Sequence, residues 1–499
     1  MGETTKIGEF VMDEDTGNET VTLALPGCGL QKVTVNTSKI QDKSVAVRGI
    51  YEHAAALGSE FGPYCKMVLD SVIPLARFKF SSDLRATAAQ TIAAVFEAAC
   101  CNGESVGSMD LPLQYLPLVA QVLSGQIVEE DVSDQESLYA MSEALSDVYL
   151  SVSQRHQRVS AYSYSVACDV VKSCMKAVSA CLERRAKVAA VLSGSEGFLS
   201  GEDERDELTH VLENEQELLT PLVDTVGYNL KFLRQNFVPI FESEVFPILS
   251  PYLQQAGYDI RARLSAVCLF DDCVEYCGTG AAAKVAPLLV GGAVAGMDDS
   301  LNGQDQELKR ASIYGIAQLS RYAPSSCLAP YEDRIIPPLI SIAGATKPSD
   351  DFDDLSLAIF ENAVSALASL TVFTNAPFKS SRFIKHDIAV GIFLKNLPLC
   401  EDPDEAKFCN AALCDLVEKN SFPLHSECDQ LYRIIGETLA LVHEEYDLAS
   451  EETIVRFAGI LFRLYQEVDK NRTEFAFNSL SVDAQEAVQR AMGQVCTAN

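Results

Sequence analysis

One short phrase, apolar–apolar–Pro–apolar, recurs along the sequence, and its spacing constrains the fold more than any other feature. It reads VIPLA around Pro74, YLPLV around Pro117, VFPIL around Pro247, VAPLL around Pro287 and IIPPL around Pro337, and more loosely NLPLC around Pro398. Successive prolines lie 43, 130, 40, 50 and 61 residues apart, and 130 is close to three times 43. A period of ~40–47 residues is that of HEAT and armadillo units, each a helix pair that buries its apolar face only by stacking on its neighbours. The last interval leaves room for an insertion.

A second kind of segment lies between the phrases, opening with acids and continuing as an alanine-rich helix. Ser82–Ala99, Tyr258–Cys277, Gln306–Ala323 and Asp404–Asn420 are examples. At 100° per residue, Ile260, Leu264, Val267, Phe270, Cys273, Val274 and Cys277 share a broad apolar arc, with Arg261, Asp272 and Glu275 opposite. An arc wider than one stripe requires neighbours on two sides. Asp271 falls at the border of that arc, so a basic group or a helix start is expected beside it. The fold class is therefore all-α, an α-solenoid of HEAT repeats with about ten helix pairs.

Three regions depart from the rhythm. Residues 1–41 alternate apolar and polar around Pro26-Gly27, which predicts an irregular or short β lead-in before a solenoid over 42–499. Gln154–Leu192 is a long helical pattern. An acidic insertion follows near 194–217, where the Glu196–Glu217 portion holds nine acids against one arginine. A helix can begin near Asp206, since carboxylates favour a helix N-terminus.

Charge narrows the function classes. With 70 acidic and 39 basic residues the net charge is −31, so nucleic-acid binding through a basic surface is excluded and a basic partner is expected. No cationic start with an apolar run opens the chain, and the longest uncharged stretch, Leu111–Val128, is interrupted by Pro112 and Pro117. Neither a signal peptide nor a membrane span is read there, and the sixteen cysteines read as reduced thiols of an intracellular protein.

No catalytic or cofactor motif survives inspection. Gly278-Thr-Gly280-Ala-Ala-Ala283 follows a helix and not a strand, so Gly278 reads as a helix-ending glycine. Asp298-x-Ser300-x-Asn302-Gly303 opens like a calcium loop, but its twelfth position is Lys309 where a bidentate carboxylate is needed. Cys268, Cys273 and Cys277 sit within one helix, and His425-Ser-Glu-Cys428 lacks a second ligand pair. No enzyme, no metal and no cofactor are expected.

Acid clusters do recur, at Glu129–Glu136, Asp298–Glu307, Asp350–Asp354 and Glu401–Glu405, each ahead of a second-type helix. They cap helices, or they line one edge of the solenoid where a partner lies; both readings stand. The candidate partner-binding residues are Glu202, Asp203, Glu204, Asp206 and Glu207 of the acidic insertion, together with Asp272 and Glu275.

Four segments carry a family likeness. Cys268–Cys277 (CLFDDCVEYC), Leu413–Asn420 (LCDLVEKN) and Leu480–Gln489 (LSVDAQEAVQ), with the entry segment Asp42–Val47, Phe61–Tyr64 and Val72–Ala76, resemble the carboxyl-terminal half of importin-5-type receptors in the same order. The acidic block after Gln154–Leu192 falls where that family carries an acidic insertion. Resemblance to this branch of the importin-β (karyopherin-β) family implies a HEAT superhelix that carries cargo through nuclear pores, and the net charge of −31 makes basic cargo the expected kind. The resemblance also implies binding of phenylalanine-glycine nucleoporins, shuttling between cytoplasm and nucleus, and release by Ran-GTP. The family's amino-terminal arch, its main Ran platform, finds no counterpart in the chain, so Ran-dependent release is the most weakly implied. A HEAT scaffold for a protein complex, without transport activity, is the competing reading, because repeat architecture alone does not specify function.

Overall fold

A computed structural model describes residues 11–13, 18–25, 29–131, 134–155, 162–194, 202–254, 259–301, 305–348, 354–373, 375–419, 422–444 and 446–498. The Pro26-Gly27 turn, residues 195–201 of the acidic block, Asn302-Gly303 and Asp350–Asp353 lie outside the described residues. Three strands open the chain: β1 (Val11–Asp13), β2 (Asn18–Leu25) and β3 (Gly29–Asn36). They form an antiparallel sheet in the order β1-β2-β3, with Val21 opposite Val33 and Val11 opposite Thr20. Among the described residues, everything after β3 is helical or connecting turn.

The chain divides into two compact units, Met1–Ile248 and Leu249–Asn499. In the first, the helices are α1 (Thr37–Leu57), α2 (Gly62–Val72), α3 (Ser82–Val106), α4 (Asp110–Glu129), α5 (Gln135–Arg155), α6 (Tyr164–Leu192) and α7 (Glu202–Leu233), then a single turn, α8 (Val238–Ile240). Here α1, α3, α5 and α7 lie side by side as one layer, while α4 packs on α6 as a second layer. A short helix, α9 (Phe246–Gln254), holds the boundary between the units.

The second unit contains α10 (Ile260–Tyr276), α11 (Thr279–Met297), α12 (Gln306–Tyr322), α13 (Glu332–Ala343), α14 (Asp354–Thr371) and α15 (His386–Asn396). It continues through α16 (Pro403–Val417), α17 (Leu424–His443), α18 (Glu451–Glu467), α19 (Lys470–Asn478) and α20 (Val482–Ala498). Contacts run α10–α12–α14–α16–α18–α20 in one layer, and α11–α13 and α15–α17–α19 in the other.

The two kinds of sequence segment separate into the two layers. Pro117, Pro287 and Pro337 lie inside α4, α11 and α13, and Pro74 lies in the turn Ile73–Arg77 that ends α2 and packs on α4. The acid-opened, alanine-rich segments become α3, α10, α12 and α16 of the opposite layers. Their acids do cap helices: Asp259 accepts from the Arg261 amide at 2.9 Å, Asp305 from Leu308 at 2.8 Å, and Asp402 from Asp404 at 3.0 Å. Alanine at the contact faces (Ala86, Ala88, Ala89 and Ala93 of α3, all buried) lets neighbouring helices approach closely. This two-layer stack of helix pairs is the HEAT-type α-solenoid.

The core on α10 holds Val267, Phe270 and Val274, each without exposed surface. Asp271 is also buried, and here the expectation of a basic partner or helix start fails: its Oδ1 has no hydrogen-bond partner. What faces it is Gly315 of α12, where an added Cβ would stand 2.2 Å from that oxygen. Glycine supplies the room that a charge partner would otherwise occupy.

The near-miss calcium loop is closed by the side chain that spoils it. The Lys309 ammonium lies 2.9 Å from both carboxylate oxygens of Asp299, and Ser300 donates through its amide and hydroxyl to Asp298. Gly278 differs from the helix-ending reading: Cys277 caps α10, and Gly278, at φ +86° and ψ 167°, is the N-cap residue of α11, whose carbonyl accepts from the Ala281 and Ala282 amides. α4 and α11 are long and apolar enough to cross a membrane by composition, but 56% and 61% of their apolar windows are buried within the protein, as core helices are. Burial pushes the thiols of Cys100, Cys174 and Cys409 up to about 12, so these cysteines behave as small apolar side chains.

Candidate functional site

Three consecutive helices of one layer, α1, α3 and α5, enclose a groove of about 780 Å³. Its floor is alanine: Ala54 and Ala55 from α1, Ala93, Ala94 and Ala98 from α3, and Ala144 from α5. Tyr51, Gln90, Leu150 and Gln154 also line it. Around that floor stand Glu52, Glu97, Glu143 and Asp147, with Arg48 as the one cation of the lining.

The carboxylates differ in character. Glu97 is committed: the Arg155 guanidinium reaches it at 2.7 Å and 3.2 Å, and the Cys101 thiol donates to it at 3.3 Å. Burial opposes its ionisation, yet hydrogen bonds from Ser151, Arg155 and Cys101 hold its carboxyl below the usual range. Asp147 is the reverse case. Although Asp147 is exposed, desolvation by the groove walls, then the charges of Glu143 and Glu97, push its pKa up, and among the described residues no cation pairs with it. A site with surplus negative charge, a carboxylate of raised pKa and an alanine-rich wall fits a cationic side chain on an aliphatic stem, such as lysine.

The residues singled out in the sequence fall in two places. Glu202 opens α7, and Asp203, Glu204, Asp206 and Glu207 are exposed along its first two turns. Asp203 and Glu204, in the first turn, also complement the helix dipole. Asp272 and Glu275 belong to the other unit, on α10, and both are only half-exposed. Glu275 accepts a hydrogen bond from the Tyr314 hydroxyl of α12 at 2.7 Å, so it also ties neighbouring helix pairs together.

The groove itself was missed in the sequence. Glu97 sits in the alanine run of α3, and Glu143 and Asp147 are four apart on α5, each reading locally as a solvated helix position. Only the stacking of three helices brings them to one opening. The available signal was that acids border alanines on successive helices of the same layer. Among the described residues, no group of three metal-ligating side chains comes together.

No family model matches the chain. Importin subunit beta-3 of Saccharomyces cerevisiae is 21% identical over 420 residues, covering 83% of this chain and 35% of that protein. Among solved structures, the karyopherin Kap121p bound to the SUMO protease Ulp1p superposes with a TM-score of 0.62 at 16% identity, over 98% of this chain and 40% of that one. Kap121p bound to Nup53p gives 0.61 at 15% identity, over 98% and 40%. The likeness to the importin-β (karyopherin-β) family read from the four segments thus recurs in a curated relative and in the fold. The chain spans between a third and a half of the length of these relatives.

Proposed function

We propose that this chain is the HEAT-repeat body of a nuclear transport receptor, engaging basic protein cargo and phenylalanine-glycine nucleoporins and shuttling through the pore. The observation that carries the cargo half of this reading is the α1–α3–α5 groove, whose acids and alanine floor suit a lysine-bearing extended segment. The acids of α7, Glu202 among them, and Asp272 and Glu275 act as further negative surface that attracts such a partner. Kap121p has been solved with Nup53p, and with Pho4p; the pore and cargo halves are carried to this chain by likeness. Release by Ran-GTP belongs to the same reading and is its least supported element. This function needs no catalytic residue or cofactor.

Anisotropy of a labelled lysine-rich peptide tests the groove. Glu143→Gln with Asp147→Asn removes two of the three groove carboxylates that no guanidinium pairs among the described residues, and affinity should fall at least tenfold, with a shallower salt dependence. Unchanged affinity would remove the groove from the account. The scaffold reading draws on the repeat architecture alone, which does not specify function. Purification with one stoichiometric partner, and no retention on immobilised phenylalanine-glycine repeats, would favour it.

A further inference from the structure

Asp271 is the buried titratable group that neither the fold nor the proposed function uses. It lies at the seam of α10 and α12, 2% exposed, with Oδ1 unpartnered. The opposing surface is the backbone at Gly315, so close that an added methyl group would collide with the carboxyl. A second buried oxygen on the same face of α12, Ser312 Oγ, also lacks a partner.

Among the described residues, no cation reaches this carboxyl. On α10 its charged neighbours are Asp272 and Glu275, both of its own sign. α11 carries one charged side chain, Lys284, which is exposed. On α12, Lys309 is held by Asp299, Arg321 by Glu405, Glu307 pairs with Arg261, and Arg310 points to solvent. Ionising Asp271 in place would therefore bury a bare charge between two like charges, which folded proteins avoid by keeping the proton or by opening.

We propose that the Asp271 carboxyl is a proton-dependent latch: neutral, it lets α10 and α12 close, and its ionisation opens that seam. Burial, then Asp272 and Glu275, hold its pKa well above the usual carboxylate range, in keeping with the geometry. The sign follows from linkage. The closed seam keeps the proton and the opened seam releases it, so closure is strongest at low pH. It weakens as pH rises from the ordinary aspartate value toward the raised one, with the opening equilibrium growing up to about tenfold per pH unit in that window. A solenoid transmits such a local opening to its adjacent repeats only, which makes the seam a pH-sensitive point of flexure.

The test is amide hydrogen exchange of the full chain between pH 5.5 and 8.5, with Asp271→Asn measured at each pH so that intrinsic exchange cancels. Amides of α10 and α12 in the parent should exchange progressively faster than in the variant as pH rises, by at least tenfold across the range, while α17–α20 show no difference. A ratio constant with pH would overturn the proposal. If the variant does not fold, the 13Cγ resonance of Asp271 in the parent decides: a protonated carboxyl at pH 7 supports the latch, and an ionised one refutes it.

Discussion

Replacing Arg321 by leucine strands a buried carboxylate, and the structure sets the size of the effect. The Arg321 and Glu405 side chains are 6% and 5% exposed and meet through two contacts, of 2.6 and 2.7 Å, from α12 to α16. Ser365 of α14 donates to the same carboxylate at 2.5 Å, Gln318 at 3.1 Å, and the guanidinium stacks over Phe408 at 3.7 Å. Removing one partner of such a pair costs ~3–5 kcal/mol, most of it the desolvation of the charge left behind. Arg321→Leu and Glu405→Leu should each lower the urea stability of the second unit by that amount. The double variant should recover to within ~1–2 kcal/mol of the parent, because two apolar side chains of similar reach need no partner. A single-variant cost below ~1 kcal/mol, or a double variant as unstable as the sum, would refute the reasoning that this pair is held by mutual desolvation.

The same pair has a pH signature. Although burial opposes it, Arg321 holds the Glu405 carboxyl below the usual range, so its contribution is complete above the unfolded glutamate value of ~4.3 and is lost as pH falls through the lower folded value; acid titration of the parent against Glu405→Leu checks this. Phe270→Ala should cost ~3–5 kcal/mol, with raised hydrogen exchange confined to α10, α11 and α12; a uniform rise along the chain would contradict stacking. Converting Asp203, Glu204, Asp206 and Glu207 to Asn or Gln should slow association of a basic cargo and flatten its salt dependence while leaving the melting temperature within about 1 °C, since exposed charges steer more than they stabilise. Stopped-flow rates equal to the parent's would make these acids solubilising only.

How much of this was legible in the sequence depended on the range of the interaction. Pro117, Pro287 and Pro337 marked one layer and the acid-opened helices the other, because apolar periodicity and capping are local properties of each helix. Asp259, Asp305 and Asp402 were readable as helix starts for the same reason. Asp271 was not, since its unpartnered state depends on Gly315, 44 positions away on another helix. The groove was hidden likewise: Glu52, Glu97, Glu143 and Asp147 come from three helix pairs, and only the inter-pair register makes them neighbours. Charge pattern pointed to the acids of α7 because they cluster in sequence, and to Asp272 and Glu275 of α10 because they lie opposite its apolar arc, whereas the groove acids are scattered over three helices.

Transport activity is decided by entry into a phenylalanine-glycine permeability barrier. Fluorescently labelled full chain, presented to permeabilised cells beside an inert protein of equal size, should concentrate at the nuclear rim and accumulate inside, carrying a lysine-rich reporter with it. A chain excluded from the nucleus as the inert protein is, with the reporter left outside, would contradict the transport account and leave the HEAT scaffold in its place.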